Sequence, residues 1–168
     1  MTLADINQSG MLELQKKTAS NIGDAVRNMM KKAFHEERLC CGVFQCVNLL
    51  ESDADGVMVC ILPEASSQNI TTRIQHKLIE AYCRENSIKV LKVDNAEKLD
   101  MLISATANNI NKTHDGGKDR NSVSDLDLSC VLVKYPKTLS AEDEYVSNLC
   151  EDFMCIDQFL YSTVELPV

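Results

Sequence analysis

The sequence predicts an α/β protein in three layers, a central sheet with helices on both faces, and two patterns carry that prediction. Short charge-free apolar runs such as VMVCIL and SCVLV alternate with longer stretches whose apolar residues return every three or four positions. Aliphatic side chains dominate the 45% apolar fraction while aromatics are only 5%, as suits packed strands and helices in one core. At 168 residues the chain is the size of one domain.

Residues 1–20 hold no sustained period and read as a mobile arm ahead of a single domain over 21–168. Asn21 and Asp24 then signal a helix start, and Ile22, Ala25, Val26, Met29, Met30, Ala33 and Phe34 follow at helical spacing. RLCCGV is a short strand turning at Gly42 into a second helix through Leu50, and SDADG is a turn into the buried strand VMVCIL. After the loop ILPEASSQNI, Ser66, Ser67 or Asn69 can cap a third helix, TTRIQHKLIEAYCREN. Strand SIKVLKV and a fourth helix from about 95 to 103, with Asp94 as its cap, come next. Residues 104–126, rich in Asn, Ser, Thr and Asp around a Gly-Gly pair, predict a flexible loop. LSCVLVKYP is a buried strand stopped by Pro136; a helix from about Ser140 to Met154 and the extended segment IDQFLYSTVEL close the order.

Charge bounds the function. A net −8 repels phosphate backbones, whose affinity for proteins comes from Lys and Arg. Residues 137–168 hold seven acids and one base, so −6 of the −8 sits in the tail. There Glu142, Asp143, Glu144, Glu151 and Asp152 predict one negative surface able to steer a basic partner. The opening MTLADINQSG has no charged start followed by an apolar run, so the expectation is an intracellular protein with reduced thiols. The N-x-S/T matches at Asn7, Asn69 and Asn111 then carry no glycan, and Cys60 and Cys130 read as core residues. No apolar run approaches a membrane span.

The residue patterns that carry catalysis or hold a cofactor are incomplete in this sequence. The six glycines make neither a dinucleotide fingerprint nor a P-loop, so no nucleotide cofactor is expected. His35, Cys40, Cys41 and Cys46 lie close in sequence, but adjacent strand residues point to opposite faces and no C-x-x-C is present, so no metal is expected. His76 reads as an exposed or interface residue rather than a base activating a thiol. The third helix carries two apolar stripes, Ile70, Ile74, Leu78, Ala81 and Ile79, Tyr82, Cys83, where one sheet face needs one. One stripe is expected to meet its copy in a second subunit, joined by Val47 of the second helix.

MTLADI, NIGDAVRNMMKKA, CGVFQCVNLL, DGVMVCIL, LIEAYCRENSIKVLKV and DLSCVLVKYP together resemble the growth-arrest and DNA-damage-inducible family, over roughly 20–103 and 125–136. The resemblance implies an α/β/α sandwich with a central mixed sheet, like that of the kink-turn-binding ribosomal proteins, used without catalysis. It implies a homodimer with Leu78 at the contact, in nucleus and cytoplasm. It also implies partners: a stress-activated MAP kinase kinase kinase, a cyclin-dependent kinase with cyclin B, the replication sliding clamp, and DNA repair or demethylation factors. The family's acid-rich docking loop corresponds to Glu64, Ser66, Ser67 and Gln68 here, where only Glu64 is acidic. The rival is RNA binding, since relatives by fold read kinked RNA with Gly-x-Asn-Glu-x-x-Lys at the start of helix two. Here that stretch offers Gly42, Phe44, Gln45 and Asn48, without the Asn-Glu pair or the Lys.

Overall fold

A computed structural model describes residues 21–111, 126–155 and 163–167. The expected arm, the 112–125 part of the expected loop and most of the closing segment lie outside the described residues. Helix α1 covers residues 21–35. It is followed by β1 (Leu39–Cys41), α2 (Val43–Asp53), β2 (Val57–Pro63), α3 (Ile70–Glu85), β3 (Lys89–Val93), α4 (Ala96–Asn111), β4 (Val131–Lys134) and α5 (Ala141–Cys155). A single 3-10 turn, Ala54–Gly56, joins α2 to β2. From α1 to α5 the alternation read from the sequence is therefore the one observed.

The sheet is mixed, in the order β1-β4-β2-β3. β4 runs antiparallel to both β1 and β2, whereas β2 and β3 are parallel and need the crossover that α3 supplies. Val164 bridges to Val93 in parallel, so the closing segment adds to the β3 edge. β2 is buried along its whole length because it has neighbours on both sides and helices on both faces. Val59, Ile61, Leu91, Val131 and Val133 meet Val26, Met29, Met30 and Ala33 of α1, Leu99 and Ile103 of α4, and Val146 and Cys150 of α5. On the opposite face Cys60, Leu62, Cys130 and Leu132 meet Cys46 and Leu50 of α2 and Ile79 and Cys83 of α3. The register slips between Val57 and Val59, which puts consecutive Met58 and Val59 on one face while Val57 faces the other.

Local chemistry sets the element ends. Gly42 holds φ +96 where β1 turns into α2, a region closed to most side chains. Asn69 is the residue that caps α3, its Oδ1 accepting from the Thr72 amide at 3.1 Å. The fourth helix departs from expectation at both ends. Asn95, not Asp94, caps it, accepting from the Glu97 amide at 2.7 Å. Asp94 instead accepts from the Leu166 amide at 3.0 Å and from Lys98 at 2.8 Å, clipping the closing segment onto β3. Residues 104–111, expected in a loop, are a continuation of α4 with Thr106 and Ala107 buried. The Thr106 hydroxyl donates to the Leu102 carbonyl at 2.8 Å, so a residue that looked loop-like is satisfied within the helix.

Candidate interaction surface

α3 lies on the sheet through Ile79 and Cys83, and this decides which of its two apolar stripes is the core. The other stripe faces outward: Ile74 is 56% and Leu78 67% exposed, with Ile70 and Ala81 exposed beside them. Tyr82 does not follow Ile79 and Cys83 inward; it stands between α2 and α3 and donates its hydroxyl to the Leu50 carbonyl at 3.2 Å. Val47 and Leu78 line one hollow of about 190 Å³ with Leu50, Glu51, Ile79 and Tyr82, so two of the expected contact residues are brought together across two helices. Phe44, one turn before Val47, is 74% exposed and extends the apolar surface of α2; its place in an RNA-like segment had hidden it.

The β3 flank of α3 borders a cleft of about 730 Å³ at the carboxyl end of β2, where ligands of open α/β sheets bind. Its walls include Leu62 and Pro63 of β2, Glu64, Ile70, Ile74 and Leu78. Ser66, Ser67 and Gln68 are exposed but do not line it, so of the expected loop residues only Glu64 belongs to the cleft. Beneath it Glu80, nearly buried, draws Lys92 to 3.3 Å, Arg84 to 3.5 Å and Lys77 to 3.7 Å. A carboxylate removed from water needs such partners.

The expected negative surface on the tail helix loses one member. Asp143 has no exposed area, because its carboxylate is committed inside the protein. Oδ1 accepts from Arg38 Nη2 at 3.2 Å, and Oδ2 from the Ser140 hydroxyl at 2.7 Å and amide at 3.2 Å. Ser140 Oγ accepts in return from the Asp143 amide, closing a capping box over the first turn of α5. Desolvation pushes the Asp143 carboxyl up, but the Ser140 and Arg38 hydrogen bonds outweigh it and hold the group below its ordinary range. Glu144 and Asp152 are exposed and Glu142 is half-buried; Glu151 pairs with Lys89 at 2.6 Å. At about 100° per residue Glu144 and Glu151 lie about 20° apart on one flank of α5, Asp152 stands about 80° round from Glu144, and Glu142 about 80° beyond Asp152.

The start of α2 is the place where an RNA phosphate would be held, and a carboxylate of the chain already stands there. Asp127 Oδ2 is 3.5 Å from the Val43 amide while Oδ1 accepts from the Ser129 amide and hydroxyl at 3.0 and 2.6 Å. Desolvation is outweighed by these bonds, and the Asp127 carboxyl is held low and charged. His76 is half-buried on α3, with Nε2 2.6 Å from the Ser129 carbonyl, so that nitrogen carries its proton and donates. Cys40 and Cys41 pack against opposite faces of the sheet, as alternation requires. Burial pushes the Cys41 and Cys150 thiols up to about 11 and about 12. Hydrogen bonds from Cys46 and Cys60 draw the Cys130 thiol below its ordinary range, yet Cys130 has no exposed area through which a substrate could reach it. Among the described residues, no group of three or more His, Cys, Asp or Glu is placed to hold a metal ion. No helix among them is long and apolar enough to cross a membrane.

Residues 24–114 match the family described as "Ribosomal protein L7Ae/L30e/S12e/Gadd45 family". Over 172 aligned residues, covering 99% of each chain, the sequence is 29% identical to the growth arrest and DNA damage-inducible protein GADD45 alpha of Mus musculus. It is 28% identical to GADD45 alpha of Homo sapiens and 24% to GADD45 gamma of Bos taurus, again over 99% of each chain.

Proposed function

Because the chain belongs to the ribosomal protein L7Ae/L30e/S12e/Gadd45 family, we propose that it is a non-enzymatic adaptor of the growth-arrest and DNA-damage type. It acts by binding proteins: a stress-activated MAP kinase kinase kinase, cyclin-dependent kinase with cyclin B, and the replication clamp, in nucleus and cytoplasm. Through these it regulates growth arrest, DNA repair and MAP kinase signalling. The observation that carries the reading is the outward apolar stripe of α3, since a row of half-exposed aliphatic side chains on a rigid helix is an interface feature rather than a catalytic one.

Two surfaces divide the work. Ile74, Leu78 and Ala81 of α3 with Val47 of α2 form a contact between two copies of the chain. Glu144, Glu151 and Asp152 on the outer flank of α5, with Glu142 at its edge, attract the basic surface of a partner. Asp143 is withdrawn from that set by its burial against Arg38. Glu64 alone is a weak substitute for an acidic docking loop. RNA binding is disfavoured by Asp127, which fills the α2 amino terminus with negative charge.

Tagged protein recovered from stressed cells and analysed by mass spectrometry tests the proposal. Enrichment of a kinase, a cyclin complex or the replication clamp over unstressed and tag-only controls is the expected result. Recovery of none of them contradicts it.

A further inference from the structure

α2 and α3 run side by side in the same direction. Near their starts both are tied to one turn, the Val43 amide lying 3.5 Å from Asp127 and His76 2.6 Å from the Ser129 carbonyl. Further along, the Tyr82 hydroxyl reaches the Leu50 carbonyl at 3.2 Å. Between these ties Val47 and Leu78 line the hollow of about 190 Å³ with Leu50, Ile79 and Tyr82, so Val47 and Leu78 stand at one level and Leu50 and Tyr82 at the next. At about 100° per residue Phe44 lies about 60° round α2 from Val47 and about 160° from the buried Cys46. Its ring therefore projects from the outer surface of the helix, 74% exposed. We propose that Phe44 anchors the contact between two copies of the chain, each ring entering the α2–α3 hollow of the other copy. This rests on the reading of the outer face of α3 as that contact, and it adds the residue that carries most of the affinity.

The spacing along α2 makes the face self-complementary. Phe44 precedes Val47 by three residues and Leu50 follows it by three, about 4.5 Å of helix each way. A two-fold axis crossing both helices at the level of Val47 and Leu78 exchanges those two levels. Phe44 of one copy then stands over Leu50 and Tyr82 of the other, and the same axis sets Leu78 against its own copy. The sizes agree, since an apolar cavity of about 150 Å³ takes up a benzene molecule. Val47, Leu50, Leu78 and Ile79 give the ring apolar walls, and Tyr82 offers it an aromatic edge. The Tyr82 hydroxyl already donates to Leu50, so an entering ring leaves that group satisfied. An aromatic segment of a different protein would fit the hollow but leave Phe44 in water, whereas a second copy fills the hollow and covers Phe44 at once.

Sedimentation velocity on the full chain measures the dimer Kd. Phe44→Ala is expected to raise it at least about tenfold with an unchanged circular dichroism spectrum, as an anchor buried only in the contact should. Tyr82→Ala opens the hollow and is expected to weaken the dimer as well; adding Phe44→Ala to it then costs less than about threefold, because the two residues act through one another. Photocrosslinking gives a second readout: benzoylphenylalanine in place of Phe44 is expected to attach to the other copy at Leu50 or Tyr82. Attachment at position 44 or Ile74 of the other copy, as parallel packing of the helices would give, overturns the proposal. A dimer that Leu78→Glu dissociates and Phe44→Ala leaves untouched overturns the role of Phe44 while the contact between copies stands. A wild-type chain that is monomeric at tens of micromolar contradicts the contact itself, and the role of Phe44 with it.

Discussion

Asp143→Asn removes one charge and almost no volume, and its cost can be worked from the contacts. Asp143 is fully buried against Arg38, itself only 6% exposed, at 3.2 Å. Breaking a buried ion pair leaves an uncompensated charge and costs about 3–5 kcal/mol. Arg38 retains Glu36 at 2.6 Å and the Lys134 carbonyl at 2.9 Å, which places the loss at the low end, about 3 kcal/mol. For a domain of this size that is a fall in Tm of about 10 °C. Denaturant unfolding followed by circular dichroism measures it, with Glu144→Gln as a surface control expected to stay within about 0.5 kcal/mol. The pH dependence has a definite sign. Because the folded carboxyl is held below its unfolded value of about 3.9, its contribution is full above that value and is lost as pH falls through the lower, folded one. The gap between wild type and variant is therefore constant near neutrality and shrinks below about pH 4. A loss under about 1 kcal/mol, or a gap unchanged by acid, refutes the buried-pair account.

Neutral amides at Glu142, Glu144, Glu151 and Asp152 are expected to weaken partner association and flatten its salt dependence in a pull-down titration, while Glu64→Gln changes little. Ala107→Glu puts a charge where α4 is packed, and is expected to lower the melting temperature by several degrees in a thermal scan; no change would mean that residues 104–111 behave as the expected loop. In a gel shift at low salt, kink-turn RNA is expected to migrate freely, and a retarded band that Asp127→Asn strengthens would favour the RNA reading instead.

The strands were legible because each of the inner ones is buried on both faces, and burial on both faces writes an uninterrupted apolar run such as VMVCIL. α1 was legible for the complementary reason: only one side is covered, so Val26, Met29, Met30 and Ala33 repeat at the helical period. The end of α4 was not, because the buried side chains described in SATANNIN are the small Ala107 and a self-satisfied Thr106, where a period of large apolar residues is normally sought. Asp143 carried a readable signal in Ser140-x-x-Asp143, the spacing of a capping box, but its run of neighbouring acids suggested a surface. Asp94 and Asp127 were beyond sequence reading. Their partners Leu166 and Val43 lie 72 and 84 residues away along the chain and meet them only once the sheet is assembled. The two stripes of α3 were legible, but their roles were not, since either could have faced Leu62 and Leu132 until the register was known.

Sedimentation velocity over a range of concentrations, paired with circular dichroism, puts the account's central claim to its most direct test. If the outer face of α3 is a protein-binding surface, the wild-type chain sediments as a dimer and Leu78→Glu as a monomer. The variant keeps the wild-type spectrum, and its fold as a single chain is destabilised by no more than about 0.5 kcal/mol, because Leu78 is 67% exposed there; what it loses is the concentration-dependent stabilisation that the dimer adds. In the dimer the same carboxylate would be buried without a partner, at a cost of several kcal/mol. A wild-type chain that stays monomeric at tens of micromolar, or a variant that stays dimeric, contradicts the claim.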